Sequence, residues 1–235
     1  NTVVVKPASD TPWPAFAFAS VLEEAELPAG VFNVVTGSGR KVGGALLQSP
    51  DVSGFVFTGS RSVGLSAMKI FHKDAPRPFI AEMGGKNAVI VTSKADMQAA
   101  VEGIGRAAFG YGGQKCSACS RTLVHRSIYA DFVKSLRDWT ENIIIGDPRK
   151  KETFLGPLIN REAVDRYIRC CKSAKVAGRI ETGGEILTPN GLDGYYVSPT
   201  VVTDLKKTHP LVTDELFLPF VCVIPINSLA QGIMI

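Results

Sequence analysis

Gly54-Phe55-Val56-Phe57-Thr58-Gly59-Ser60-Arg61-Ser62-Val63-Gly64-Leu65-Ser66-Ala67-Met68-Lys69-Ile70-Phe71 reads as a strand, a tight turn and a helix. Aromatic and β-branched residues over 54–58 suit an extended segment, Gly59-Ser60 interrupts it, and apolar residues then recur at helical spacing from Ser62 to Phe71. The same rhythm runs upstream: a strand at Thr2 to Val5, a helix at Thr11 to Glu26 with Pro12 in its first turn, a strand at Val31 to Val35, the turn Gly37-Ser38-Gly39, and a helix at Val42 to Gln48. Downstream come strands at Phe79 to Met83 and Asn87 to Val91, then helices at Asp96 to Phe109, Tyr129 to Asn142 and Arg161 to Ala177. A strand at Thr122 to His125 falls between the first two of these helices, and strands at Tyr195 to Thr203 and Phe220 to Ile226 follow the last. In the part before Gly84, strands separated by helices of this length predict an α/β fold with a doubly wound parallel sheet. The glycine pair Gly84-Gly85, where the chain can turn sharply, predicts a boundary between a first domain over 1–84 and a second α/β domain over 85–235.

With 235 residues and 45% hydrophobic content, the chain can bury a substantial core. Its longest apolar runs, such as Phe220 to Ile226, fall far short of the roughly 18 residues needed to span a membrane. Twenty-six basic and 22 acidic residues are interspersed, and a net charge of +4 without a dense Lys/Arg block argues against a nucleic-acid partner. Five cysteines, an odd number with two adjacent, do not form a disulfide framework and favour a reducing compartment, either cytoplasm or mitochondrial matrix. Neither a basic and apolar leader pattern nor an Arg/Ser-rich one is read in this chain, so export is not expected. The opening on Asn1 rather than Met suggests an internal piece of a longer protein.

Gly110-Tyr111-Gly112-Gly113-Gln114-Lys115-Cys116 sets a cysteine just beyond a glycine-rich helix end, where a side chain can be presented to a cleft. A free cysteine is also a common small core residue. Cys119 makes a C-x-x-C pair with Cys116, which leaves a redox pair or half of a zinc site open. The remaining cysteines, Cys170, Cys171 and Cys222, and the three histidines are scattered without a four-ligand spacing, so no metal is expected.

Five segments, taken in order, resemble the aldehyde dehydrogenase superfamily: Asn1 to Ala8; Phe57-Thr58-Gly59-Ser60 with Val63-Gly64; Glu82-Met83-Gly84-Gly85-Lys86; Gly113 to Cys116; and Asp214-Glu215-Leu216-Phe217. The string Gln114 to Arg121 is most similar to the branch containing Δ1-pyrroline-5-carboxylate dehydrogenases, which act in proline catabolism and oxidise glutamate γ-semialdehyde to glutamate. The resemblance implies a Rossmann-like cofactor part followed by a catalytic part, here truncated. It makes Cys116 the nucleophile and Glu82 the general base, which otherwise reads as an exposed strand-end carboxylate. A thiol needs such help, because near neutrality only a few per cent of it is thiolate.

The resemblance also implies NAD as cofactor. Gly59, Ser60, Val63 and Gly64 lie at a helix start near the pyrophosphate, where free N–H groups and the helix dipole favour anions. Lys6 stands at the adenosine-ribose position, Glu215 at the nicotinamide ribose and Phe217 beside the nicotinamide. Ser9 stands where strict NAD users often carry a glutamate, so tolerance of NADP is expected. Two departures stand out. Phe217-Leu218-Pro219 replaces the family's Phe-Gly-Pro, a change that could move the Glu215 loop. The family's oxyanion asparagine is expected before Asn1. The implied partners are a small aldehyde and, for the full-length form, further copies of the same chain.

Overall fold

The computed structural model describes all residues, 1–235, and their contacts divide into two compact units, Asn1–Met83 and Gly84–Ile235.

In the first unit, β1 (Val3–Val5) pairs in parallel with β2 (Phe32–Val34), and α1 (Trp13–Glu24) forms the crossover between them. Phe18 of α1 meets Phe32 edge to face, with centroids 5.6 Å apart, yet no residue of α1 is buried. The chain then winds from Gly39 through a wide first turn into α2 (Gly44–Gln48), and Ser38 caps this turn by accepting from the Lys41 N–H. Helical winding thus begins at Gly39, three residues before the predicted Val42, where the Ser38 hydroxyl satisfies one of the free N–H groups, and α2 itself starts at Gly44.

Next, β3 (Phe55–Gly59) pairs in parallel with β4 (Phe79–Met83) across α3 (Arg61–Phe71). Strict alternation decides which face is covered. Phe55, Phe57, Phe79 and Ala81 turn inward, whereas Val56, Thr58, Ile80 and Glu82 stay exposed. Leu47, Ala67 and the fully buried Phe71 fill the core beneath Phe55 and Phe79. Arg77 locks this core. Its guanidinium donates to the carbonyls of Ser49, Val52 and Phe71 at 2.8–2.9 Å and lies 3.9 Å above the Phe71 ring.

The second unit is built on a five-stranded sheet. β5 (Asn87–Val91), β6 (Cys119–His125), β7 (Arg179–Thr182), β8 (Thr200–Thr203) and β9 (Phe220–Ile226) stand in the order β5-β6-β9-β8-β7. Four strands are parallel, and the edge strand β7 runs antiparallel to β8. Both faces are covered. Val221 and Val223 of β9 pack into a cluster with α4 (Met97–Phe109) and α5 (Tyr129–Glu141). Phe220, Cys222, Ile224 and Ile226 enter an opposite cluster with α6 (Arg161–Ala177) and α7 (Pro210–Thr213). A strand buried on both faces reads as a continuous apolar run, as 220–226 does.

The helix starts have local causes: Asp96 accepts from the Ala99 N–H at 2.9 Å to open α4, and Asn160 accepts from the Ala163 N–H at 3.0 Å to open α6. A short helix, α8 (Leu229–Ile233), follows β9, with its Gly232 against Ile90 and Ile226. No helix is long and apolar enough to cross a membrane.

The predicted strand Tyr195 to Thr203 is shorter than expected, because only Thr200–Thr203 joins the sheet. Before it, Ser198 and Tyr196 exchange hydrogen bonds with Glu185 and Leu187 across a single bridge, Ile186 to Val197. Pro199, lacking an N–H, separates the two pairings.

Candidate active site

Cys116 sits on the loop between α4 and β6. The backbone reaches this loop through three successive left-handed residues, Tyr111, Gly112 and Gly113, with φ of 61°, 66° and 64°. At Gly113 a side chain is excluded for a second reason: a Cβ there would run into the backbone carbonyl of Leu218. The glycine therefore ties the cysteine loop to the segment 215–219.

Two side-chain amides complete the anchoring. Gln114 Oε1 accepts from the Ile159 N–H at 3.1 Å, and Asn87 Nδ2 donates to the carbonyls of Cys116 and Ala118 at 2.6 and 3.3 Å. A turn in which the Ala118 N–H donates to the Lys115 carbonyl at 3.1 Å then carries the chain into β6. Neither Gln114 nor Asn87 was singled out as an anchor from the sequence; the only signal for Asn87 is a polar amide opening an apolar strand directly after Gly84-Gly85-Lys86.

The five thiols are unequal. Cys116 is exposed and the other four are buried. Burial pushes the Cys119 and Cys171 thiols up from their ordinary range, Cys170 to about 11 and Cys222 to about 12. Cys119 turns inward, 3.5 Å from the Arg121 carbonyl and 3.7 Å from the Thr122 hydroxyl. The C-x-x-C pair thus divides into one surface thiol and one core thiol. Nowhere do three or more His, Cys, Asp or Glu side chains gather into a group able to hold a metal ion.

Glu215 and Phe217 lie on the segment tied to Gly113. Glu215 is exposed, and its carboxylate rests against Gly84, where a Cβ would collide with it. The left-handed residue in this turn is Phe217, with φ of 55°, while Leu218 is buried in the core and its carbonyl accepts from the Phe220 N–H at 2.8 Å. A Cβ at position 218, where the resemblance leads one to expect glycine, is accommodated because its side chain has a place in the core. Beneath the site, Lys86 donates to the Leu211 carbonyl at 2.8 Å, and burial lowers its ammonium from the usual range.

The other candidates belong to the first unit. Lys6 follows β1, half-buried, and its ammonium donates to the Pro7 carbonyl at 2.6 Å. Ser9 lines a cavity of about 310 Å³ between Pro7-Ala8-Ser9 and Thr36-Gly37-Ser38, whose lining includes no carboxylate. Gly59 and Ser60 form the turn from β3 into α3, with Ser60 at the cap position and Val63 exposed in the first turn. Gly64 is buried where a Cβ would stand 2.7 Å from Met83 Sδ, which holds α3 close to β4. Three hydroxyl residues, Ser9, Thr36 and Ser38, stand among the prolines, alanine and glycine that line the Ser9 cavity, and the start of α3 has no side-chain cap, a setting in which free N–H groups can meet an anion. Glu82 is exposed near the end of β4, in register with Thr58.

The sequence model of the aldehyde dehydrogenase family matches residues 1–235. A 1-pyrroline-5-carboxylate dehydrogenase of Geobacillus thermodenitrificans is 40% identical over 226 residues, covering 94% of this chain and 43% of the relative. One from Halalkalibacterium halodurans is 37% identical over 243 residues, covering 100% of this chain and 46% of the relative. This chain thus spans less than half the length of these curated relatives. Among solved structures, a Thermus 1-pyrroline-5-carboxylate dehydrogenase with bound NAD superposes with a TM-score of 0.94 at 31% identity, covering 100% of this chain and 46% of that one. A betaine aldehyde dehydrogenase from Staphylococcus aureus in complex with NAD+ superposes with a TM-score of 0.96 at 30% identity, covering 99% and 47%. With the whole of its length matched by the family's sequence model, this chain belongs to the aldehyde dehydrogenase family.

Proposed function

We propose that the whole protein oxidises an aldehyde to a carboxylate with NAD(P), with Cys116 as its nucleophile. The observation that carries this is the contrast among the thiols: one is exposed on an anchored loop, and the other four are buried, where lost hydration disfavours the thiolate. In the proposed reaction, the Cys116 thiolate adds to the aldehyde carbon and its backbone N–H supports the oxyanion of the thiohemiacetal. Nicotinamide, when bound, supplies the hydride acceptor. Glu82 takes a proton from the water that hydrolyses the thioester left on Cys116, freeing the thiol for another round. Glu215 orients the cofactor's ribose, Phe217 packs beside the ring, and Lys6 and Ser9 hold the adenosine ribose at the 310 Å³ cavity.

The proposed substrate is glutamate γ-semialdehyde, on the strength of relatives named 1-pyrroline-5-carboxylate dehydrogenase at 37–40% identity and of the Gln114 to Arg121 string. A different aldehyde is the second reading, favoured by the equally good superposition on betaine aldehyde dehydrogenase.

Three tests follow in the whole protein. Cys116→Ser is expected to lower aldehyde oxidation on the order of 10³-fold or more with NAD binding retained, and Cys119→Ser to be far milder, because only the first removes the attacking thiol. Steady-state assays of both variants check this, and equal losses would point to a redox pair. Glu82→Gln is expected to let the thioester build up after one round of hydride transfer, seen as an acyl mass on the Cys116 peptide after rapid quenching. An unchanged steady-state rate with no adduct would remove Glu82 as the base. For the coenzyme, NADP should be accepted alongside NAD, and Ser9→Glu is expected to raise the KM for NADP roughly tenfold or more by setting a carboxylate against the 2′-phosphate. Equal KM shifts for the two coenzymes would contradict that role.

A further inference from the structure

Asn87 opens β5 at the point where the β5–β6 ladder is irregular. It pairs with Cys119, but the next residue, Ala88, pairs with Arg121, so Ser120 is an extra residue on β6. Residues 116–118 precede β6 and lie outside the ladder, and the Asn87 side chain supplies donors to the carbonyls of Cys116, at 2.6 Å, and Ala118, at 3.3 Å. One amide group thus spans the segment directly after the thiol. The preceding side of the loop is held separately, through Gly113 against Leu218 and Gln114 against Ile159.

We propose that Asn87 is a positioning residue for Cys116, a role that rests on the reading of Cys116 as nucleophile. With residues 113 and 114 anchored on one side, fixing the Cys116 carbonyl on the other restricts the backbone of the cysteine itself. That restriction sets the direction in which Sγ meets the reacting carbon and the Cys116 N–H meets its oxygen. An exposed thiol has few packed neighbours to choose its geometry, so its placement depends on the backbone that carries it. Asn87 touches no reacting atom in this scheme. It acts through the peptide it holds.

The test compares wild type with Asn87→Asp in the whole protein. Aspartate keeps the shape but replaces the donors with an oxygen that repels both carbonyls. The kcat for aldehyde oxidation is expected to fall roughly 10- to 100-fold, as for a small misplacement of a reacting group. The KM for NAD should stay within about twofold, because uniform cofactor binding is untouched. Amide exchange at 116–118 should quicken while the centres of β6 and β9 keep their protection. If Asn87→Asp does not fold, Asn87→Ser, with a single shorter donor, is read by the same measures. A kcat within about twofold of wild type together with native exchange at 116–118 would overturn the proposal. So would exchange that rises equally through β5, β6 and β9, which would make Asn87 an ordinary strand residue. An active Cys116→Ser protein would bring down the functional reading instead, while exchange at 116–118 would still report whether Asn87 holds the loop.

Discussion

The close approach of Gly113 to the Leu218 carbonyl is the contact on which the rest of the second unit's site depends. It requires a residue without a Cβ, in the left-handed region, at the end of a helix. Through it, two segments a hundred residues apart in sequence become neighbours: one carries the exposed thiol, the other Glu215 and Phe217. The sheet behind them makes the approach reproducible. β9 lies between β6 and β8 with both faces buried, so the segment 215–219 leading into it starts from a fixed place. The Thr200 N–H donates to the Pro219 carbonyl at 2.9 Å and extends that fixation to the last residue before the strand.

The same burial accounts for the chemical inequality of the cysteines. In the interior a thiolate loses its hydration, so Cys119, Cys170, Cys171 and Cys222 behave as small apolar residues. Cys222 even shares the Leu211 carbonyl with Lys86, their donor atoms lying 3.3 and 2.8 Å from it. Cys116 escapes because it lies on the loop that precedes β6, outside the ladder's hydrogen bonds. Side-chain amides take over the anchoring there: Asn87 donates to the Cys116 and Ala118 carbonyls, and Gln114 accepts from the Ile159 N–H.

Much of the fold was legible in the sequence, and the exceptions are instructive. Phe220–Ile226 is found as predicted because a strand covered on both faces must be apolar throughout. Arg161–Ala177 begins and ends as predicted because Asn160 caps it and Gly178 follows it. β7 was not legible: Arg179-Ile180-Glu181-Thr182 has no apolar run, and its strand state comes from pairing with β8 and from the bond of Thr203 to the Glu181 carboxylate. Tyr195 to Thr203 was read too long because pattern alone does not reveal where a proline leaves a pairing unmade. Within the candidate site, the glycine-rich approach to Cys116 is a local signal and could be read directly. The amide bonds of Asn87 and Gln114 join residues 29 and 45 positions apart, and no local pattern encodes such contacts.

The central claim, that Cys116 is the one nucleophilic thiol, meets its most direct test in substoichiometric alkylation of the whole protein with iodoacetamide, followed by peptide mapping and assay of the residual activity. The predicted result is label on Cys116 ahead of the other four cysteines, with activity lost in proportion and labelling slowed by an aldehyde substrate. Inactivation that follows Cys119 or another buried thiol, or complete labelling of Cys116 with activity intact, would contradict it.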